Sequence, residues 1–275
     1  MLWERLGSIQ YGALRVLSRR TSRNARRVVL LAAIVLALIL VAGASRWGVS
    51  DTRGDCPRGR ALVADALGLD FPNPGLDSFL VETLEKAGYI VDYVNGTGVD
   101  LELYRRLTDY DVVILRVHGG KGEVKLPDGR VAVVNGLFTG LPWDDRYQEL
   151  MWKWLAAKAT PYHDPDKAYL AVLPGFFAKE MQGRFCPGSV VVVASCFSLY
   201  TYEIPVALAQ RGLGMYIGWT GPVTVQEIDE GLRMLVDLVY NKGLNWTEAA
   251  IEVGKKLGTN EYNSTLYAVI LSRQS

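Results

Sequence analysis

The chain has 275 residues, 49% of them apolar and 21% charged, with a formal net charge of +1. That length carries one domain with a full core or two small ones, and the composition is that of a globular protein. Seven arginines against the single Glu4 fall within residues 1–27, leaving 23 basic against 28 acidic residues, a net −5, in the rest. A mildly acidic body argues against nucleic acid as a partner.

The basic segment 1–27 leads into Val28–Ala44, seventeen residues without a charge. As a helix this stretch extends about 26 Å at roughly 1.5 Å per residue, just under a hydrocarbon core. Arginines ahead of it predict a signal-anchor with the N-terminus cytoplasmic and the remainder extracytoplasmic, held in the cell membrane by a single pass. The small residues Ala42-Gly43-Ala44 leave a second reading open: a leader removed near Ala44 and a secreted domain. Both place the rest of the chain outside the cytoplasm. Residues 45–59 read as a stalk, and residues 60–275 as one α/β domain.

Within that domain, Arg60–Asp65 is the first expected strand, followed by a helix from about Pro72 to Ala87 that Gly88 stops. Tyr89–Val94 is a second strand, and a short helix near Leu101–Leu107 leads to a third at Asp111–Val117. Runs of β-branched residues such as Val112-Val113-Ile114 are typical of strands buried on both faces of a parallel sheet. An insertion of about residues 121–188 follows. It opens with a hairpin around Pro127-Asp128-Gly129 and continues with expected helices near Asp144–Ala157 and Gly175–Gly183. Ser189–Ala194 is the next strand. Then come a helix at Glu203–Gln210, a strand at Gly214–Trp219, helices at Thr224–Tyr240 and Thr247–Leu257, and a last strand at Leu266–Leu271. Short strands alternating with helices predict a mostly parallel six-stranded sheet between helical layers.

Two strands end on chemistry. The first runs into His118-Gly119-Gly120, the second into Ser195-Cys196-Phe197. In open parallel sheets functional groups gather at the carboxyl ends of the strands. A thiol attacks as its thiolate and needs a base, and imidazole titrates near neutrality. His118 is therefore the expected base and Cys196 the expected nucleophile. Gly119 and Gly120 permit close backbone approach and supply an N–H for an oxyanion. Only two histidines occur in the chain; the other, His163, sits between Pro161 and Pro165 and reads as a surface loop residue. Of three cysteines, Cys56 and Cys186 form the candidate disulfide, with Cys196 left as the free thiol.

The motifs Val117-His118-Gly119 and Ala194-Ser195-Cys196, in that order, resemble those of the caspase-like superfamily of cysteine peptidases, which includes caspases, legumains, clostripain and gingipains. Tyr216–Gly221 resembles the gingipain-type segment lining the specificity pocket. The resemblance implies a caspase-like three-layer sandwich and a cysteine endopeptidase working through a thioester, with oxyanion donors from Gly119 and Cys196 and a peptide or protein as substrate. It extends over about residues 60–271. The His–Cys separation of 78 positions exceeds the roughly 50 of caspases, and the caspase signature Gln-Ala-Cys-x-Gly is absent. A catalytically inactive sensor or peptide-binding domain on the same fold is the alternative.

For specificity, Asp65, Glu203 and Asp229 are the acidic candidates to receive a basic side chain. The competing role for Asp65 and Asp229 is helix capping or pairing with Arg116. Trp219 is either a pocket wall or core packing. No phosphate loop, zinc spacing or nicotinamide fingerprint is present, so no metal and no cofactor is expected. Sequons at Asn95, Asn245 and Asn263 suit an extracytoplasmic surface. Nothing in the sequence fixes the oligomeric state.

Overall fold

The central sheet begins with β1 (Arg60–Asp65), whose side chains are buried on both faces apart from Arg60. Asn73 caps the helix that follows, α1 (Pro74–Lys86), by accepting the Leu76 N–H, and Pro74 supplies a preset φ at its first turn. The chain then forms β2 (Ile90–Asn95), a short α2 (Leu101–Arg105) and β3 (Val112–Arg116). The computed structural model describes Cys56, residues 59–125 and residues 129–271. The predicted basic segment 1–27, the apolar segment 28–44 and most of the stalk lie outside them. Among the described residues no helix is long and apolar enough to cross a membrane.

After β3 the chain leaves the central sheet. Residues Gly119–Lys125 form β4 and Val131–Pro142 the long β5, joined antiparallel. A short α3 (Gln148–Trp152), β6 (Ala156–Ala159), β7 (Tyr169–Val172) and α4 (Pro174–Lys179) complete the excursion. The four strands make a second sheet in the order β4-β5-β7-β6. The return brings β8 (Val190–Ala194), α5 (Glu203–Gln210), β9 (Met215–Trp219), α6 (Val225–Tyr240), α7 (Trp246–Leu257) and β10 (Leu266–Ile270). The central sheet has the order β10-β9-β8-β3-β1-β2, parallel throughout except β10 against β9.

Helices cover both faces because β1, β3 and β8 are apolar on both. Leu62, Val113, Leu115, Val191 and Val193 pack toward Tyr104, Phe176, Phe177 and Ile204 of α2, α4 and α5. Ala61, Val63, Ile114, Val192 and Ile217 pack toward Leu80 of α1, Leu232 of α6 and Val253 of α7. In α6 the buried Ile228, Leu232, Leu235 and Val236 form the stripe expected of an amphipathic helix, and a Thr224–Glu227 capping box fixes its start. The fold is therefore α/β with a mixed, mostly parallel six-stranded sheet between two helical layers.

The insertion departs from expectation. The helix expected over Asp144–Ala157 ends at Trp152, because Trp154 adopts φ 59° and the chain closes with Trp154 N–H to Met151 O and Leu155 N–H to Leu150 O. That is a Schellman closure with tryptophan where glycine is usual. Ala156–Ala159 then pairs with β7 as a strand, against the helical preference of alanine and lysine.

Cys56 and Cys186 are joined, with their Cα atoms 5.7 Å apart across 130 positions of sequence. The bond ties the start of the described chain to the segment entering β8. Replacing both cysteines by serine is expected to lower stability by about 2–4 kcal/mol, seen as a lower urea midpoint with a steeper slope, because the unlinked denatured chain exposes more surface.

Candidate active site

Strand order reverses at β1: β2 lies on one side of it and β3 on the other. In doubly wound sheets that crevice, at the carboxyl ends, is where ligands bind. Asp70 comes from the loop after β1 and His118 from the end of β3. Arg116 and Ala194 are the last paired positions of β3 and β8, so His118 and Cys196 each lie two residues beyond, on neighbouring strand ends. Both line one cavity of about 680 Å³, together with Leu67, Phe71, Phe138, Val223 and Ile228.

His118 Nε2 lies 3.0 Å from Asp70 Oδ2. Burial pushes the Asp70 carboxyl up, but hydrogen bonds from Lys167, His118 and Tyr169 more than offset it and hold its pKa low. A carboxylate only accepts, so the ring proton sits on Nε2 and leaves Nδ1 as the acceptor. Burial also keeps His118 below the usual imidazole value, outweighing Asp70, so the ring is neutral at pH 7. The Cys196 thiol donates to Val223 O at 3.3 Å and accepts from Val223 N–H at 3.4 Å. Burial raises its pKa above the usual thiol range. The resting pair is thus thiol and neutral imidazole.

This has a measurable consequence. Thiolate is the species that alkylates, so iodoacetamide labelling of Cys196 is expected to climb steadily from about pH 6 to pH 9. A plateau starting near pH 6 would instead reveal a preformed thiolate–imidazolium pair.

The turn after the thiol is strained. Phe197 has φ 57°, an uncommon conformation for a bulky residue. Its N–H donates to Gly221 O, and the buried Asn135 amide donates to the carbonyls of Phe197 and Ser198. Ser198 completes the turn by donating toward Val193 O and Ser195 O and accepting the Trp219 N–H. Opposite this turn lies Gly119. A Cβ there would collide with the Cys196 carbonyl and the Ser195 hydroxyl. Gly119→Ala is therefore expected to displace the Cys196 turn, seen as a changed iodoacetamide labelling rate of Cys196 at fixed pH, while circular dichroism stays native.

The acidic specificity candidates are placed elsewhere. Asp65 accepts from Arg116 Nη1 at 3.0 and 3.1 Å, and Asp229 from Arg116 Nε and Nη2 at 2.6 and 2.9 Å. Both carboxylates are thereby committed to the Arg116 guanidinium, the competing role considered for them. Burial disfavours the charged guanidinium, but Asp229 and Asp65 offset this and hold its pKa up. Arg116 also donates to Phe71 O, and Asp65 accepts the Gly68 N–H, so the cluster fixes the loop that carries Asp70. Trp219 is 2% exposed and packs in the core, where a Cβ on Gly231 of α6 would crowd its ring. Glu203 is exposed at the start of α5 and away from the cavity lining.

Asp70, Asn135 and His163 contact the candidate pair or its turn, and sequence patterns did not mark them. His163 is exposed in its loop as expected, and in addition its ring stacks 5.2 Å from His118 and its Nε2 lies 3.6 Å from Asp70 Oδ2. The only hint was that a chain with two histidines had placed one between prolines. Cys56 and Cys186 pair as expected, and Cys196 is the free cysteine. Comparison with protein-family models and with curated proteins finds no match.

Proposed function

We propose that the chain is a cysteine endopeptidase of the caspase-like superfamily, anchored by residues 28–44 with its catalytic domain outside the cytoplasm. The observation that carries this reading is the juxtaposition of Cys196 and His118 on adjacent strand ends, facing one cavity, with His118 oriented by Asp70. The mostly parallel six-stranded sheet with helices on both faces is consistent with the family.

In the proposed reaction the thiol proton passes to His118 Nδ1 as Sγ attacks the peptide carbonyl carbon. The tetrahedral oxyanion is met by backbone N–H groups of Gly119 and Cys196. Support for Gly119 comes from the ladder: Phe138 N–H donates to His118 O, and pairing alternates along an antiparallel ladder. The next pair, Gly119 with Leu137, then turns its N–H away from β5. His118 returns the proton to the amine nitrogen as the C–N bond breaks, leaving a thioester. Water, deprotonated by His118, hydrolyses the thioester and restores the thiol.

Among the described residues no carboxylate lines the cavity. With Leu67, Phe71, Phe138, Val223, Ile228 and Tyr262 around it, an apolar or aromatic side chain is the substrate group proposed, in place of a basic one. The extracytoplasmic placement draws support from the Cys56–Cys186 bond, since such bonds persist in oxidising surroundings. Asn95, Asn245 and Asn263 of the three sequons are exposed.

One observation favours the second reading, a non-catalytic peptide-binding domain: the thiol is hydrogen-bonded to Val223 and held protonated by burial. A peptide carrying a thiol-reactive warhead separates the two. Rapid labelling of Cys196 that is lost in His118→Ala, with cleavage of fluorogenic peptides that is lost in Cys196→Ala, supports the peptidase. Labelling no faster than that of an ordinary buried thiol supports the binder.

A further inference from the structure

Both histidines of the chain meet one carboxylate. His118 Nε2 and His163 Nε2 lie 3.0 and 3.6 Å from the same Asp70 oxygen, Oδ2, and all three donor atoms fall within 4.8 Å of one another. Zinc–ligand bonds of roughly 2.0–2.1 Å in tetrahedral geometry set ligand atoms about 3.3–3.4 Å apart. The two distances to Asp70 bracket that value, and the two histidine nitrogens lie no more than 4.8 Å apart, so an ion fits once the rings close on it. We propose that Asp70, His118 and His163 form a three-ligand site for a zinc-like transition-metal ion, whose occupation silences Cys196.

The donor set decides the class of metal. Two imidazoles and one carboxylate suit zinc, cobalt or nickel, whereas calcium and magnesium demand oxygen ligands. The surroundings hold the ligands in place. The Asp70 side chain is 2% exposed, Tyr169 OH donates to its oxygens, and Phe71 packs edge-on against the His163 ring at 4.7 Å. Such outer partners fix ligand orientation. Lys167 occupies Oδ1 at 2.6 Å, which leaves Oδ2, the oxygen that faces both rings, to the ion. Both histidines line the cavity, so the fourth coordination position opens toward it.

The silencing follows from the tautomer and rests on the peptidase reading. Asp70 keeps the His118 proton on Nε2, with Nδ1 accepting. An ion bound at Nε2 requires that lone pair, and the neutral ring then carries its proton on Nδ1. Nδ1 becomes a donor and no longer receives the thiol proton.

The test uses the full-length chain freed of metal by chelation and titrated with Co²⁺, followed by its visible d–d absorption, and with Zn²⁺, followed by calorimetry. One ion per chain is expected in wild type and in Cys196→Ala. His163→Ala and His163→Gln, both at an exposed loop side chain, are expected to bind at least about 10–100-fold more weakly, a range that loss of outer-shell partners alone already reaches. Zn²⁺ is expected to inhibit peptide hydrolysis in wild type at concentrations at least about 10-fold below those that inhibit His163→Ala, each compared with its own metal-free rate. No cobalt band, a band undiminished in both His163 variants, or a band lost in Cys196→Ala would overturn the site. Binding through His163 in a chain that cleaves no peptide would uphold the site while removing the peptidase reading. Hydrolysis without binding would do the reverse.

Discussion

Peptide hydrolysis is expected to fall to background in Cys196→Ala and by about 10²–10⁴ in His118→Ala, with the double variant no worse than Cys196→Ala alone. The two groups act on one proton and one carbon, so removing the second after the first takes nothing more away. The geometry gives the base a defined role: Nε2 is engaged by Asp70, and Nδ1 is the only ring atom left to accept. Asp70→Asn preserves the shape of the contact but replaces an acceptor by a group that also donates. That variant is expected to lose roughly 10²–10⁴ as well, because it no longer dictates the tautomer. Initial rates on one apolar fluorogenic peptide, at substrate concentrations below KM, measure all four variants on a single scale. Hydrolysis that persists above background in Cys196→Ala, or a wild-type rate in His118→Ala, would show that the two groups do not work on one reacting centre.

How much of this was visible in the amino-acid order varies by element. The strands β1, β3, β8 and β9 were legible because residues buried on both faces must be apolar throughout, and β-branched runs of that kind have few other uses. The pairing of His118 with Cys196 was legible for a related reason: once both strands belong to a parallel sheet, their carboxyl ends share an edge. Of the second sheet only the β4–β5 hairpin was legible. Ala156–Ala159 has helical propensity, and its strand pairing to Tyr169–Val172 comes from tertiary contact, while the turn preceding it uses Trp154 at a position where glycine would have given the signal. Asp70 was invisible for a third reason. It sits in a loop, 48 positions from His118, and only the order reversal between β1 and β3 brings the two together.

The acidic residues show how one buried cation redirects a reading. From sequence, Asp65 and Asp229 are carboxylates near strand and helix ends, equally suited to a substrate or to a structural partner. Arg116 is 1% exposed, and a guanidinium so far from water needs its charge answered on the spot. With both carboxylates bound to it, neither lines the cavity beside His118, whose wall combines apolar side chains with Lys121 and the two histidines.

Arg116→Met is accordingly expected to be the most destabilising single change near the site, at about 3–5 kcal/mol, because it leaves the buried Asp65 and the largely buried Asp229 without their cation. For a domain of this size that corresponds to a fall in Tm of roughly 6–20 °C. The variant also releases Phe71 O and loosens the loop that holds Asp70, so Cys196 labelling slows even at temperatures where the fold persists. Removing all three charges together separates these effects. In Arg116→Met with Asp65→Leu and Asp229→Leu no unpaired charge remains, and most of the lost stability is expected to return. Labelling is not expected to return with it, since neither Phe71 O nor the Gly68 N–H regains its partner. Differential scanning calorimetry and warhead labelling, run on the same three proteins, read the two quantities separately. Recovery of both in the triple variant would mean that the cluster serves stability alone and that Asp70 is held by other contacts.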